Sequence, residues 1–215
     1  MMRVSGWLRC AILLASLTMQ AVSAVAPPMV ARIIQHSFPE RRESLQVLTE
    51  ALFTEYQQQK NITSLIFYSY GMLKLAEQLA VENDVIKAAE YARTGFFYLD
   101  EAAELYENDP RVRYLRARID AFLPAASGRC VIALSDTQFI QQSSVTFESD
   151  ILDNVKYMRY RALHSCGEIN QAAALLARLK QARPHLKSLS LALNAAPEWE
   201  ISEATQIVLP LAGDK

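Results

Sequence analysis

The amino-acid sequence predicts an all-α fold of antiparallel helix hairpins, and three observations carry this. Apolar residues recur every three or four positions through most of the chain, the spacing of one helix face. Glycine is scarce, with six in 215 residues against an average of about 7%, which disfavours a turn-rich sandwich or barrel. Prolines and polar clusters fall between the periodic segments, where helices stop. The hydrophobic share of 51% and charged share of 21% suit a packed core and exclude a disordered tail or a collagen-like fibre. A formal net charge of −1 offers no basic excess to neutralise phosphates, so no nucleic-acid partner is expected.

Residues 1–24 read as a cleaved signal peptide. Arg3 and Arg9 give a positive start, Ala11 to Met19 is largely apolar, and Val22-Ser23-Ala24 is a small-residue cleavage pattern. The apolar run is shorter than the about 20 residues a membrane span needs. The expectation is an exported chain, periplasmic or alternatively secreted, with no stable membrane span after cleavage. Cys10 stands at the start of the apolar run rather than after it, unlike a lipidation site.

Residues 25–36, with Pro27 and Pro28, form a leader, and 37–194 a single helical domain. Ser37-Phe38-Pro39-Glu40 matches a capping box with proline in the first turn. Leu45, Leu48, Leu52 and Tyr56 follow at helical spacing. A second helix spans about 63–80, with Leu65, Tyr68, Met72, Leu75 and Leu79 on its apolar face. Asp84 caps the third and clearest helix, on which Val85, Ala88, Ala92, Phe96, Leu99, Ala103 and Tyr106 recur. Ala88, Ala89, Ala92 and Gly95 make part of it thin enough for another backbone to approach. After Asn108-Asp109-Pro110, the stretch 110–123 carries Val112, Leu115, Ile119, Phe122 and Leu123 on a stripe of about 100°. Helices at about 129–142 and 150–165 flank a serine-rich turn. Another at about 168–183 stops at Pro184, and Leu186, Leu189 and Leu193 suggest a short last one. Residues 195–215, with Pro197, Trp199 and Pro210, have weak periodicity and read as an irregular tail partly packed on the body.

Beyond the signal peptide, Cys130 and Cys166 are the remaining cysteines. An even count in an exported chain points to a disulfide. Cys130 would open one helix and Cys166 close the next, and those ends lie together in an antiparallel hairpin. The alternatives are two free buried thiols or a metal site with His164, but His164-Ser165-Cys166 has no standard zinc spacing.

Gly167-Glu168-Ile169-Asn170-Gln171-Ala172 followed by Pro184, with Ala162 and Leu163 in the preceding helix, resembles one tetratricopeptide repeat over about 151–184. A second, poorer match ends at Pro110, with Ala102 and Ala103 at small positions. Both units lack the first-helix aromatic and glycine signature, and Tyr98 stands where the earlier unit expects a small residue. The resemblance implies a right-handed superhelix whose concave groove binds peptides or proteins without catalytic residues. The alternative architecture is a generic helical bundle.

No Gly-x-Ser-x-Gly elbow or phosphate-cradling glycine loop is present, and His36, His164 and His185 lie in no metal motif. No catalytic residue, metal or cofactor is therefore expected. Asp100, Glu101, Glu104, Glu107 and Asp109 could supply the paired carboxylates of a cell-wall hydrolase, although such a run more commonly forms a solvated face. Arg113 and Arg116, from the cluster Arg111, Arg113, Arg116 and Arg118, are candidates for an anionic clamp; the alternative pairs them with the acidic end of the preceding helix. Tyr68, Tyr70 and Phe97 are candidate partner contacts, because adjacent aromatics cannot all face one core; several helix layers burying both faces is the alternative. The expectation is a non-catalytic periplasmic scaffold or adaptor that binds a protein or peptide in cell-envelope assembly or secretion. The rivals are a cell-wall hydrolase and a structural subunit of a secretion or surface apparatus.

Overall fold

The structure, a computed structural model, describes residues 27–192, 195 and 197–213, and residues 1–24, read above as a signal peptide, lie outside them. Among the described residues there is no strand, and eight helices of nine residues or more follow one another. They are α1 (Pro28–His36), α2 (Arg42–Gln59), α3 (Ile62–Val81), α4 (Val85–Leu105), α5 (Pro110–Asp120), α6 (Cys130–Gln142), α7 (Ser149–Ser165) and α8 (Ile169–Ala182). From α2 onward each helix packs on the next. Facing residues lie symmetrically about the turns: Thr49 meets Gly71, Leu73 meets Gly95, and Arg116 meets Asp136. These pairings define consecutive antiparallel hairpins.

The described part of the leader carries a helix, Pro28–His36. Pro28 sits in the first turn of α1, where its missing N–H costs nothing. Val30 and Ile33 are fully buried. The backbone N–H of Met29 donates to Glu55 Oε1 at 3.2 Å, so a carboxylate from α2 caps the positive end of α1. The expected capping box at Ser37 does not form. Ser37 takes a left-handed φ of 61° and closes α1, its N–H donating to the Ile33 carbonyl. Pro39 disfavours helix at Phe38, and the Phe38 ring stacks on Phe67 instead. Helix α2 therefore starts only at Arg42.

The next caps follow ordinary side-chain chemistry. Asn61 accepts from the Thr63 N–H at 2.9 Å, Asp84 from Lys87, and Asp109 from Arg111 at 2.7 Å. The α3–α4 contact is close because Gly95 has no side chain. A Cβ there would lie 2.8 Å from Leu73 Cγ and 3.0 Å from the Ser69 carbonyl.

The irregular tail is the second correction. Ile201–Glu203 and Leu209–Gly213, which we label α9 and α10, flank a π-helical turn at Ala204–Val208. Ile207, Val208 and Leu211 are fully buried in the main core, beside α3 and α5. A π turn holds more residues than an α turn, so the apolar spacing departs from 3.6. Pro210 fits because it has no N–H to offer the Gln206 carbonyl, which instead accepts from Arg111 Nε at 3.1 Å. Residues 187–190 form a short 3₁₀ turn where a helix was expected, and Leu193 lies outside the described residues.

Cys130 and Cys166 are disulfide-bonded, with Cα atoms 5.6 Å apart. The bridge ties the start of α6 to the end of α7.

Candidate functional site

Asp100 of α4 and Arg113, Arg116 and Asp120 of α5 form an ion cluster with Arg129 and with Asp136 of α6. Asp136 is fully buried and accepts from Arg116 Nε at 2.8 Å and from Arg113 at 3.2 Å. Asp100 accepts from Arg116 at 3.0 Å and Arg129 at 2.7 Å. Arg129 also reaches Asp120 with two donors, each at 2.9 Å. Three carboxyl groups thus face three guanidinium groups. Burial opposes ionisation of Asp100, but Arg129 and Arg116 outweigh it and hold its pKa below the ordinary value. Burial dominates at Asp120 and pushes its carboxyl up to about 7, against the pull of Arg129.

A second buried pair lies on the other side of α5. Arg118 Nε donates to Glu203 Oε1 at 2.7 Å, and the Tyr114 hydroxyl donates to the same oxygen at 2.9 Å. The Arg118 guanidinium lies 3.8 Å from the Trp199 ring centroid, and Trp199 stacks on Phe67.

The five candidate partner contacts separate on burial. Arg116 is buried and carries two carboxylates, so its guanidinium is not open to a ligand. Arg113 is partly exposed and bonds Asp136 and the Glu107 carbonyl. The anionic-clamp geometry is therefore taken up within the protein, chiefly by Asp136, an α6 residue, together with Asp100 at the acidic end of α4. Tyr70 is a core residue whose hydroxyl donates to the Leu115 carbonyl, which corrects its placement as a partner contact. Tyr68 and Phe97 remain at the surface, with Phe97 61% exposed.

These two belong to a longer aromatic row. Tyr56 and Phe53 of α2, Tyr68 of α3, and Tyr98 and Phe97 of α4 are all at least partly exposed. Successive ring centroids lie 6.3, 4.7, 5.4 and 5.1 Å apart. Phe53, Tyr68 and Tyr98 meet because their positions mirror one another across the α2–α3 and α3–α4 turns. Burial raises the Tyr68 and Tyr56 hydroxyl pKa values, and Glu101 and Tyr106 add to the effect at Tyr56. Beyond Tyr106 the surface dips into a hollow of about 490 Å³ at the α4–α5 turn, lined by Leu105, Tyr106, Glu107, Pro110, Arg111 and Val145, among others. Sequence reasoning does not single out Phe53, Tyr56 and Tyr106 for binding. The mirror relation to Tyr68 about the α2–α3 turn is the signal that could have found Phe53, and Tyr56 stands three residues beyond it on the same helix.

A wider hollow of about 830 Å³ lies between the start of α7, residues 182–187 and residues 199–205. Its walls mix Glu148, Asp150 and Glu200 with Arg183, His185 and Lys187, and select no single charge. Among the described residues, no group of three or more His, Cys, Asp or Glu side chains is placed to hold a metal, and no helix is long and apolar enough to cross a membrane.

Compared with known family models, curated proteins and solved structures, the chain matches none.

Proposed function

We propose that the chain is a non-catalytic helical scaffold of tetratricopeptide-like build that docks a protein or peptide partner in the cell envelope. The observation that carries this reading is the surface row Tyr56, Phe53, Tyr68, Tyr98 and Phe97 across three helices. Aromatic side chains at a surface give large contact area for little lost conformational freedom, and they are favoured anchors of protein interfaces. The export signal supports the periplasmic setting, and the consecutive hairpins support the repeat-like build.

The test is site-directed photocrosslinking in the native envelope. A photoreactive side chain replacing Phe97 should capture one discrete partner, and one replacing the exposed Lys180 on α8 should not. Equal capture at both positions, or none at Phe97, would overturn the docking face. Release of soluble fragments from purified peptidoglycan would argue for the hydrolase instead.

A further inference from the structure

We infer that the aromatic face of α2–α4 takes a basic polypeptide segment, whose lysine or arginine side chains seat on tyrosine rings beside Glu101, Glu104 and Glu107. This rests on the docking reading above and adds the chemistry of the partner. Along α4, Phe97, Glu101 and Glu104 fall at i, i+4 and i+7, one face of the helix. That face continues the aromatic row into a line of carboxylates. Glu107 follows in the turn and lines the hollow beside Tyr106.

The other acids of this segment are occupied. Asp100 pairs with Arg116 and Arg129, and Asp109 caps α5 and pairs with Arg111. Among the described residues, the carboxylates of Glu101, Glu104 and Glu107 form no ion pair; Glu101 acts on Tyr56, Glu107 lines the hollow beside Tyr106, and Arg113 meets Glu107 only at its backbone carbonyl. A ring face attracts a cation through its quadrupole, most strongly where water is partly excluded. One ring of the row already does so, since Lys60 Nζ lies 5.4 Å from the Tyr56 ring centroid. An incoming ammonium or guanidinium group would find both a ring face and a carboxylate, whereas an acidic segment would meet repulsion at each step along α4.

The probe is a short fluorescent peptide of alternating lysine and alanine, with a glutamate–alanine peptide of equal length as control. Anisotropy titration of the full chain at low salt should show the basic peptide binding at least about tenfold more tightly, a difference of about 1.4 kcal/mol. Added salt should weaken it. The variant Glu101→Gln/Glu104→Gln/Glu107→Gln should lose that preference while keeping the wild-type circular dichroism spectrum and thermal midpoint. Tyr98→Ala should weaken the basic peptide as well. Equal binding of the two peptides, or full binding by the triple variant, would overturn the inference. The Phe97 crosslinker separates the two levels. Capture that survives the triple substitution refutes the cationic chemistry and keeps the docking face, and absence of capture in the unsubstituted chain refutes both.

Discussion

Asp136 shows how much rests on one side chain. It is fully buried and accepts from both Arg113 and Arg116. A buried ion pair brings little net stability, because desolvation offsets the attraction, but removing one partner strands the other charge. Asp136→Ala should therefore destabilise the fold by about 3–5 kcal/mol, read from the urea midpoint. A loss below about 1 kcal/mol, the ordinary value of a surface pair, would contradict the burial argument. Asp120 makes a prediction of a different kind. Its carboxyl rises to about 7 in the fold, against about 3.9 in an unfolded chain. The folded state then binds the extra proton, so its contribution to stability is complete below about pH 4 and is lost as pH rises through about 7. The groups facing it are Arg129, Asp100 and Arg116. Relative to Asp120→Asn, the wild-type protein should lose stability as pH rises from about 4 to about 7 in urea titrations, with no further change above that range. Parallel curves for the two proteins would contradict the assignment.

At the level of helices, close packing of α2 on α3 rests on Gly71. A Cβ there would lie 2.3 Å from Thr49 Oγ1. Thr49 is buried, and its hydroxyl is held by the Leu45 carbonyl at 2.7 Å. Alanine ordinarily favours a helix over glycine by about 1 kcal/mol, but overpacking costs about 1–3 kcal/mol. Gly71→Ala should thus be destabilising, and adding Thr49→Ala should restore much of the loss; a double-mutant cycle in the thermal midpoint reads this coupling. The α3, α4, α5, α6, α7 and α8 segments are legible in the sequence because caps and apolar periodicity are local properties: Asp84, Pro110 and Pro184 mark boundaries wherever the chain goes. Ser37 misleads because its hydroxyl suits a cap, while Pro39 and the Phe38–Phe67 contact decide the backbone. The C-terminal run escapes a periodicity reading because a π turn breaks the period and because Arg111, 95 residues away, takes the carbonyl that Pro210 leaves free. The site divides in the same way. Phe97 and Tyr68 can be named from adjacency alone. That Tyr70 faces the core and that Asp136 holds the arginines are consequences of which hairpin meets which.

For the whole molecule, the question is what closes a row of hairpins. Packing between successive helices is local in sequence, and a simple stack leaves its end faces open. Here the chain returns. Asn61 Nδ2 donates to the Ala212 carbonyl, 151 positions along the chain, and Glu148 donates its N–H to Gln206 Oε1. Trp199 stacks on Phe67, Glu203 holds Arg118 and Tyr114, and Ile207, Val208 and Leu211 complete the core between α3 and α5. The cost of ordering a connection back from α8 grows only slowly with its length, whereas Ile207, Val208 and Leu211, which it carries back, are fully buried. Removal of residues 199–215 would uncover Phe67 and leave Arg118 buried without its carboxylate. Either loss alone costs about 3 kcal/mol or more, a large share of the about 5–15 kcal/mol that a domain commonly has. The truncated chain should therefore lose its single cooperative thermal transition, and amides of α3 and α5 should exchange far faster in hydrogen-exchange measurements. Retention of a sharp transition and slow exchange in α3 would mean that the hairpins are self-sufficient and that the C-terminal run only covers them.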